Sequence, residues 1–136
     1  MSISTSFETY FDFLWPIPRS ILGPDYRNSL DILGELMPME RLRIPTGSSV
    51  LDWIVPEEWS VEEAYIEAPD GSRFADFQEN NLHLVGYSKS VNKTMSLDEL
   101  RPHLHTIEEQ PGAIPYITSY YNRTWGFCLS HEQYTG

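Results

Sequence analysis

Apolar residues recur at three- and four-residue intervals in the first third of the chain and at two-residue intervals after it. Phe7, Phe11 and Leu14 carry the helical spacing with acids between them, which predicts a helix over residues 6–15. Pro16 and Pro18 stop it, because proline lacks the amide a helix interior needs. Gly23, Pro24 and Asp25 read as a turn into a second helix over 26–37, with Asp25 as N-cap. Leu30, Leu33, Leu36 and Met37 form its expected buried stripe, and Pro38 ends it.

From about residue 40 the period becomes two. Leu42 and Ile44 alternate with Arg41 and Arg43, as in a half-buried strand. After a turn at Pro45, Thr46 and Gly47, Leu51, Trp53 and Val55 share one face of a second strand. Ala64, Ile66 and Ala68 line a third. Pro69, Asp70 and Gly71 then give a tight turn, since proline presets φ and glycine accepts positive φ. Residues 73–77 return as its hairpin partner, and Leu82–Ser88 reads as a further strand. Ser96 and Glu99 form a capping box before Leu97, Leu100 and Leu104, and Pro102 predicts a short or kinked helix there. Ile117–Tyr121 and Thr124–Leu129 read as a final hairpin across Asn122 and Arg123. The fold class expected is α+β, with N-terminal helices followed by a mostly antiparallel, strand-rich small domain. The expected division is a helical segment over 1–45 and the strand-rich body over 46–136.

Charge narrows the partners. The 136 residues hold 20 acidic and 9 basic side chains, a net charge of −11. Nucleic-acid backbones and anionic membrane surfaces are held by Lys and Arg, so neither is an expected partner. The opening Met1–Glu8 has no basic segment of the kind that starts an export signal, and no apolar run reaches the ~20 residues that span a bilayer. The cytoplasm is the expected compartment, and Cys128 is the lone cysteine, so no internal disulfide forms.

Candidate chemistry is sparse. His83, His103, His105 and His131 are the only histidines, and no His-Glu-x-x-His or Cys-x-x-Cys spacing joins them, so no metal site is expected from this chain alone. His83, in an apolar segment, reads as structural. Cys128, between Phe127 and Leu129, reads as buried and inert, because a reactive thiol needs an accessible, electropositive setting. No catalytic residue is assigned. The aromatic side chains are the unusual feature. Core packing explains most of them; the alternative is an aromatic-rich face for a carbohydrate, a peptide or a second copy of the chain. The substrate-binding candidates are Arg19, Trp53, Trp59, Tyr120, Tyr121 and Trp125.

Whole strings carry a resemblance. Trp15-Pro-Ile-Pro-Arg-Ser-Ile-Leu-Gly23 is similar to the N-terminal segment of a bacterial family of aminopeptidase-like proteins, and so is the run from Pro45 to Trp59. Glu79-Asn-Asn-Leu-His83, Met95-Ser-Leu-Asp-Glu-Leu100, Ile114–Tyr121 and Trp125–His131 follow in family order and extend the likeness over nearly all of the chain. The resemblance implies a zinc-dependent exopeptidase-type domain, an inserted strand-rich domain of unassigned role and a C-terminal winged helix. On that reading residues 1–45 open the exopeptidase domain and 46–136 are the insert. The family's zinc-binding segment lies outside this chain, and none of its ligands maps onto a residue here. The implied activity is removal of residues from a peptide or small-molecule substrate, with zinc polarising the scissile carbonyl and activating water. Arg19 is then a candidate for a substrate carboxylate. The rival reading is a non-catalytic binding or homo-oligomerisation module.

Overall fold

The computed structural model describes residues 3–136, so Met1 and Ser2, with which the reading of an export signal begins, lie outside the described residues. The chain forms two compact units, Met1–Ser60 and Val61–Gly136.

The first unit opens with α1, Ile3–Leu14. The four-residue spacing of Phe7, Phe11 and Trp15 stacks their rings up one side, with centroids 6.4 and 5.6 Å apart. All three rings are exposed. Helix α2, Pro24–Gly34, is capped by Gly23 and not by Asp25, which falls in the first turn. Pro24 is the reason: at the first helical position its fixed φ and missing amide suit the helix start, and that places the cap one residue before it. The expected stripe is only half realised. Leu30 and Leu33 are half-buried, while Leu36 and Met37 are exposed.

No strand forms over residues 40–44. Arg41 instead folds back along α2, donating to the Leu30 carbonyl at 2.7 Å and pairing with Asp31. Leu42 stays 85% exposed. Alternation makes a strand only when a partner supplies the ladder, and none is present within the described residues. Strands β1, Ser49–Val50, and β2, Trp53–Ile54, make a hairpin with Ser49 opposite Ile54 and Val50 opposite Trp53. Leu51 is therefore in the turn, 99% exposed at φ 55°, and does not share the strand face of Trp53 and Val55. Tight two-residue hairpin loops demand positive φ, here met by a residue that pays strain for it.

In the second unit β3, Ile66–Glu67, and β4, Arg73–Phe74, form the expected hairpin, with Ile66 opposite Phe74. Gly71 takes φ +84°, and Asp70 accepts from the amide and hydroxyl of Ser72. Those two bonds hold the Asp70 carboxyl below its usual range. The partner strand is shorter than residues 73–77: Ala75 turns to φ 51° and is buried, and pairing resumes only where Phe77 donates to the Ala64 carbonyl.

Around Ser96 and Pro102 two expectations hold, and a third, for the segment before them, does not. The capping box is present, with Ser96 and Glu99 bonded reciprocally at the start of α3, Leu97–Leu100. Pro102 then passes the chain into a 3-10 turn over Arg101–His103. Ser96→Ala should lower the melting temperature of this unit by the few degrees that about 1 kcal/mol implies; an unchanged melting temperature would show that α3 is held by packing alone. Leu82–Ser88 is not a strand. Asn81–His83 is a 3-10 turn, capped by Asn80, followed by isolated bridges from Leu84 to Phe127 and from Gly86 to Thr118.

The final hairpin is also absent. Strand β6, Phe127–Cys128, pairs in parallel with β5, Leu104–His105, while Thr118 pairs with Gly86. A run buried on both faces, as Phe127, Cys128 and Leu129 are, suits an inner parallel strand better than a hairpin arm. The fold is thus α+β with N-terminal helices, and among the described residues two of the three strand pairs are antiparallel. Ala75, Phe127 and Leu129 centre the core of the second unit, with Ala64, Ile66, Leu84, Leu104 and Trp125 packed around them. Helix α4, His131–Thr135, follows directly, capped by Ser130 and Gln133.

Candidate functional site

The sequence-derived site residues are divided between the two units. Arg19, Trp53 and Trp59 belong to the first unit; Tyr120, Tyr121 and Trp125 belong to the second. Arg19 donates to the Leu14 carbonyl at 2.7 Å, satisfying an end carbonyl of α1, where a cation is favoured by the helix dipole. Trp53 is partly exposed on β2. Trp59 is half-buried, with its backbone against Gly23. Trp125 stacks on His103, centroids 3.7 Å apart and planes 15° from parallel, and meets Phe127 edge-on, which is a packing role.

Tyr120 and Tyr121 do gather company. A short parallel bridge brings residues 117–119 against Gly86: Gly86 donates to the Ile117 carbonyl at 2.8 Å and Ser119 donates to the Gly86 carbonyl at 2.9 Å. Tyr87 follows at φ 65°, and its ring lies edge-on to Tyr120 at 4.9 Å. The Tyr116 hydroxyl hydrogen-bonds Tyr120, which with partial burial pushes the Tyr116 phenol above its ordinary range. Burial and the nearby Tyr87 do the same for Tyr121. Tyr116 and Tyr121 remain largely exposed. Sequence alone placed Tyr116, Tyr120 and Tyr121 near one another; Tyr87 joins only through the non-local bridge.

The histidines act as staples. His83 Nδ1 lies 2.7 Å from the Cys128 carbonyl and His103 Nδ1 lies 2.9 Å from the Trp125 carbonyl. A carbonyl only accepts, so each ring carries its proton on Nδ1. His131 Nδ1 is 3.1 Å from the Thr106 hydroxyl. Burial, with His103 nearby, holds His105 below its usual range. Zinc is the metal the resemblance implies. Among the described residues no three His, Cys, Asp or Glu side chains come together to hold an ion, so these residues do not fit a zinc site.

Cys128 is fully buried, and desolvation pushes its thiol up to about 11 against a weaker opposing bond from the Ile117 backbone. A thiol-reactive dye at pH 8 should label the native chain only as fast as it opens, and the urea-unfolded chain at once; rapid native labelling would contradict the burial. The folded thiol also keeps its proton to higher pH than the unfolded one. Stability should therefore decline as pH rises from about 9 towards 11.

The second unit also contains a cavity of about 380 Å³. The cross-strand pair Ile66 and Phe74 forms one wall, α3 contributes Leu97 and Leu100, and Leu104 and Leu129 form the buried side. Arg101 is the single charged residue lining it. No helix among the described residues is long and apolar enough to cross a membrane.

Comparison with known proteins agrees with the resemblance read from the sequence. A Clostridium acetobutylicum protein named for polysaccharide biosynthesis and an aminopeptidase-like domain is 46% identical over 121 residues, 89% of this chain. A crystal structure from the same organism, described as a peptidase, superposes with a TM-score of 0.90 at 44% identity over 96% of this chain. The chain spans only 28% and 32% of the lengths of these two proteins. Residues 58–136 match the family described as Domain of unknown function (DUF2172), and since that is well over half of its length, the chain belongs to that family.

Proposed function

We propose that this chain is part of a cytoplasmic, aminopeptidase-like peptide hydrolase, to which it contributes scaffold and flanking surface while the metal ligands come from outside these residues. The observation that carries this reading is the likeness to a protein named for an aminopeptidase-like domain, at 46% identity, and to a crystal structure described as a peptidase, at 44% identity and a TM-score of 0.90. Fold alone would not assign chemistry, so the names of these proteins and the identity together support the reading. The division into an opening segment over 1–45 and an inserted domain over 46–136 belongs to the same proposal. The substrate is a peptide or small amide with a free amino end.

The test is hydrolysis of a panel of aminoacyl anilides. The full-length Clostridium relative should release the anilide and this chain should not. Hydrolysis by this chain alone, or a relative inert towards every member of the panel with zinc supplied, would overturn the reading.

A second reading is favoured by one observation, the exposed cluster of Tyr116 and Tyr121 beside Tyr87 and Tyr120. Here the second unit is a non-catalytic module that holds a saccharide, in keeping with the relative named for polysaccharide biosynthesis, or a second copy of the chain. Titration with oligosaccharides followed by tryptophan and tyrosine fluorescence tests the first version, and sedimentation tests the second.

A further inference from the structure

The cavity of the second unit has the makings of a ligand site that the aminopeptidase reading does not call for. At about 380 Å³ it falls at the small end of the range that holds organic ligands. Three separate segments build it: the β3–β4 hairpin, the continuous run of α3, its 3-10 extension and β5, and the stretch from Leu129 through α4. Leu129 is buried, while Phe74 and Leu97 are more than half exposed, so the apolar lining runs from the core to an open rim.

The polar groups around that rim are unequal. Gln133 gives its side-chain oxygen to the amide and hydroxyl of Ser130, and the Thr135 hydroxyl bonds back to the His131 carbonyl. Arg101 is held loosely. Its acid partner Asp98, one helical turn earlier, lies at 3.7 Å and is itself 94% exposed, an arrangement that contributes little in water. A guanidinium so placed offers the paired donors that match a carboxylate in a planar fork. It is also one of only nine basic side chains in a chain of net charge −11. An anion meets repulsion over most of such a surface, so a cation at the edge of an apolar cavity specifies both the ligand's charge and its orientation.

We propose that this cavity binds a small apolar carboxylate, with an aliphatic or aromatic body against Ile66, Leu100, Leu104 and Leu129 and its carboxylate on Arg101 in place of Asp98. An N-blocked hydrophobic amino acid and the C-terminal residue of a peptide share this chemistry.

The experiment is calorimetric titration of the whole chain with three probes: N-acetyl-L-leucine, its amide N-acetyl-L-leucinamide, and acetyl-Gly-Gly-Leu. N-acetyl-L-leucine should bind saturably, and the amide at least about tenfold more weakly, since it lacks the charge that Arg101 reads. Arg101→Met should abolish the distinction between acid and amide, and Arg101→Lys should restore part of it. Arg101 is half exposed, so circular dichroism should show both variants folded. Leu97→Trp, at the open rim, should block both ligands. The tripeptide binding as tightly as the acyl amino acid identifies a peptide C-terminus as the source; much weaker binding identifies a free small acid. Equal binding of acid and amide, unchanged acid binding by Arg101→Met, or no saturation at millimolar concentration would each overturn the proposal.

Discussion

Phe127→Ala should lower the stability of the unit over residues 61–136 by about 3–5 kcal/mol. Phe127 joins two backbone pairings to the apolar core of this unit. Its backbone pairs in parallel opposite Leu104 and bridges antiparallel to Leu84. Its ring is buried with Ala75 and Leu129 and meets Trp125 edge-on at 6.5 Å. Few side chains in this unit are fully buried, so few can relax into the space left behind. Small domains have total stabilities of about 5–15 kcal/mol, so a loss of that size removes a large share of the total. Urea unfolding followed by tryptophan fluorescence would measure it, with Trp125 as a reporter beside the cavity created. A loss under about 1 kcal/mol would mean that this core is not what holds the unit together.

Gly23→Ala should be about as costly in the first unit, by a different route. Gly23 caps α2 at φ +128° and ψ −179°, a conformation that is essentially confined to glycine. A Cβ there would sit 2.5 Å from the Trp59 carbonyl oxygen, a backbone atom that cannot swing away as a side chain could. Strain of about 1–3 kcal/mol for the dihedral alone adds to the displacement of the chain at Trp59. Gly47→Ala gives the control. That residue has φ +81° with open space where the Cβ would go, so it should show only the left-handed penalty of about 1–2 kcal/mol. If the two variants unfold at the same denaturant concentration, the approach of Trp59 to Gly23 contributes nothing.

What could be read from the sequence was local chemistry. The turn at Pro69–Gly71, the capping box of Ser96 and Glu99 and the shortening of α3 at Pro102 each depend on residues within a few positions of one another, and all three are present. What could not be read was the choice of partner. Leu42 and Ile44 alternate as a strand should, but Arg41 finds α2 and no strand comes alongside. Thr124–Leu129 has strand character, but its partner is the distant Leu104–His105 and not the adjacent segment. Pairing of that kind is decided by burial of Phe127 and Cys128 on both faces, which no short window of sequence reports.

The same division applies to the candidate sites. Arg19 and Trp125 stood out by residue type; in the structure Arg19 donates to the Leu14 carbonyl and Trp125 stacks on His103. The staples from His83 to Cys128 and from His103 to Trp125 span 45 and 22 residues, too far for spacing to suggest them. Nothing in the sequence around Arg101 and Pro102 marks a ligand site. The place of Arg101 beside Ile66, Phe74 and Leu129 exists only after three separated segments have folded together.

Zinc content separates the whole account from its alternatives in one measurement. The purified 136-residue chain and the full-length Clostridium relative would be dialysed together against zinc and then against buffer, and the metal counted by mass spectrometry. The expected result is stoichiometric zinc in the relative and almost none in this chain, because His83 and His103 are committed to carbonyls and no three ligands converge among the described residues. One tightly held zinc per molecule of this chain would contradict the account.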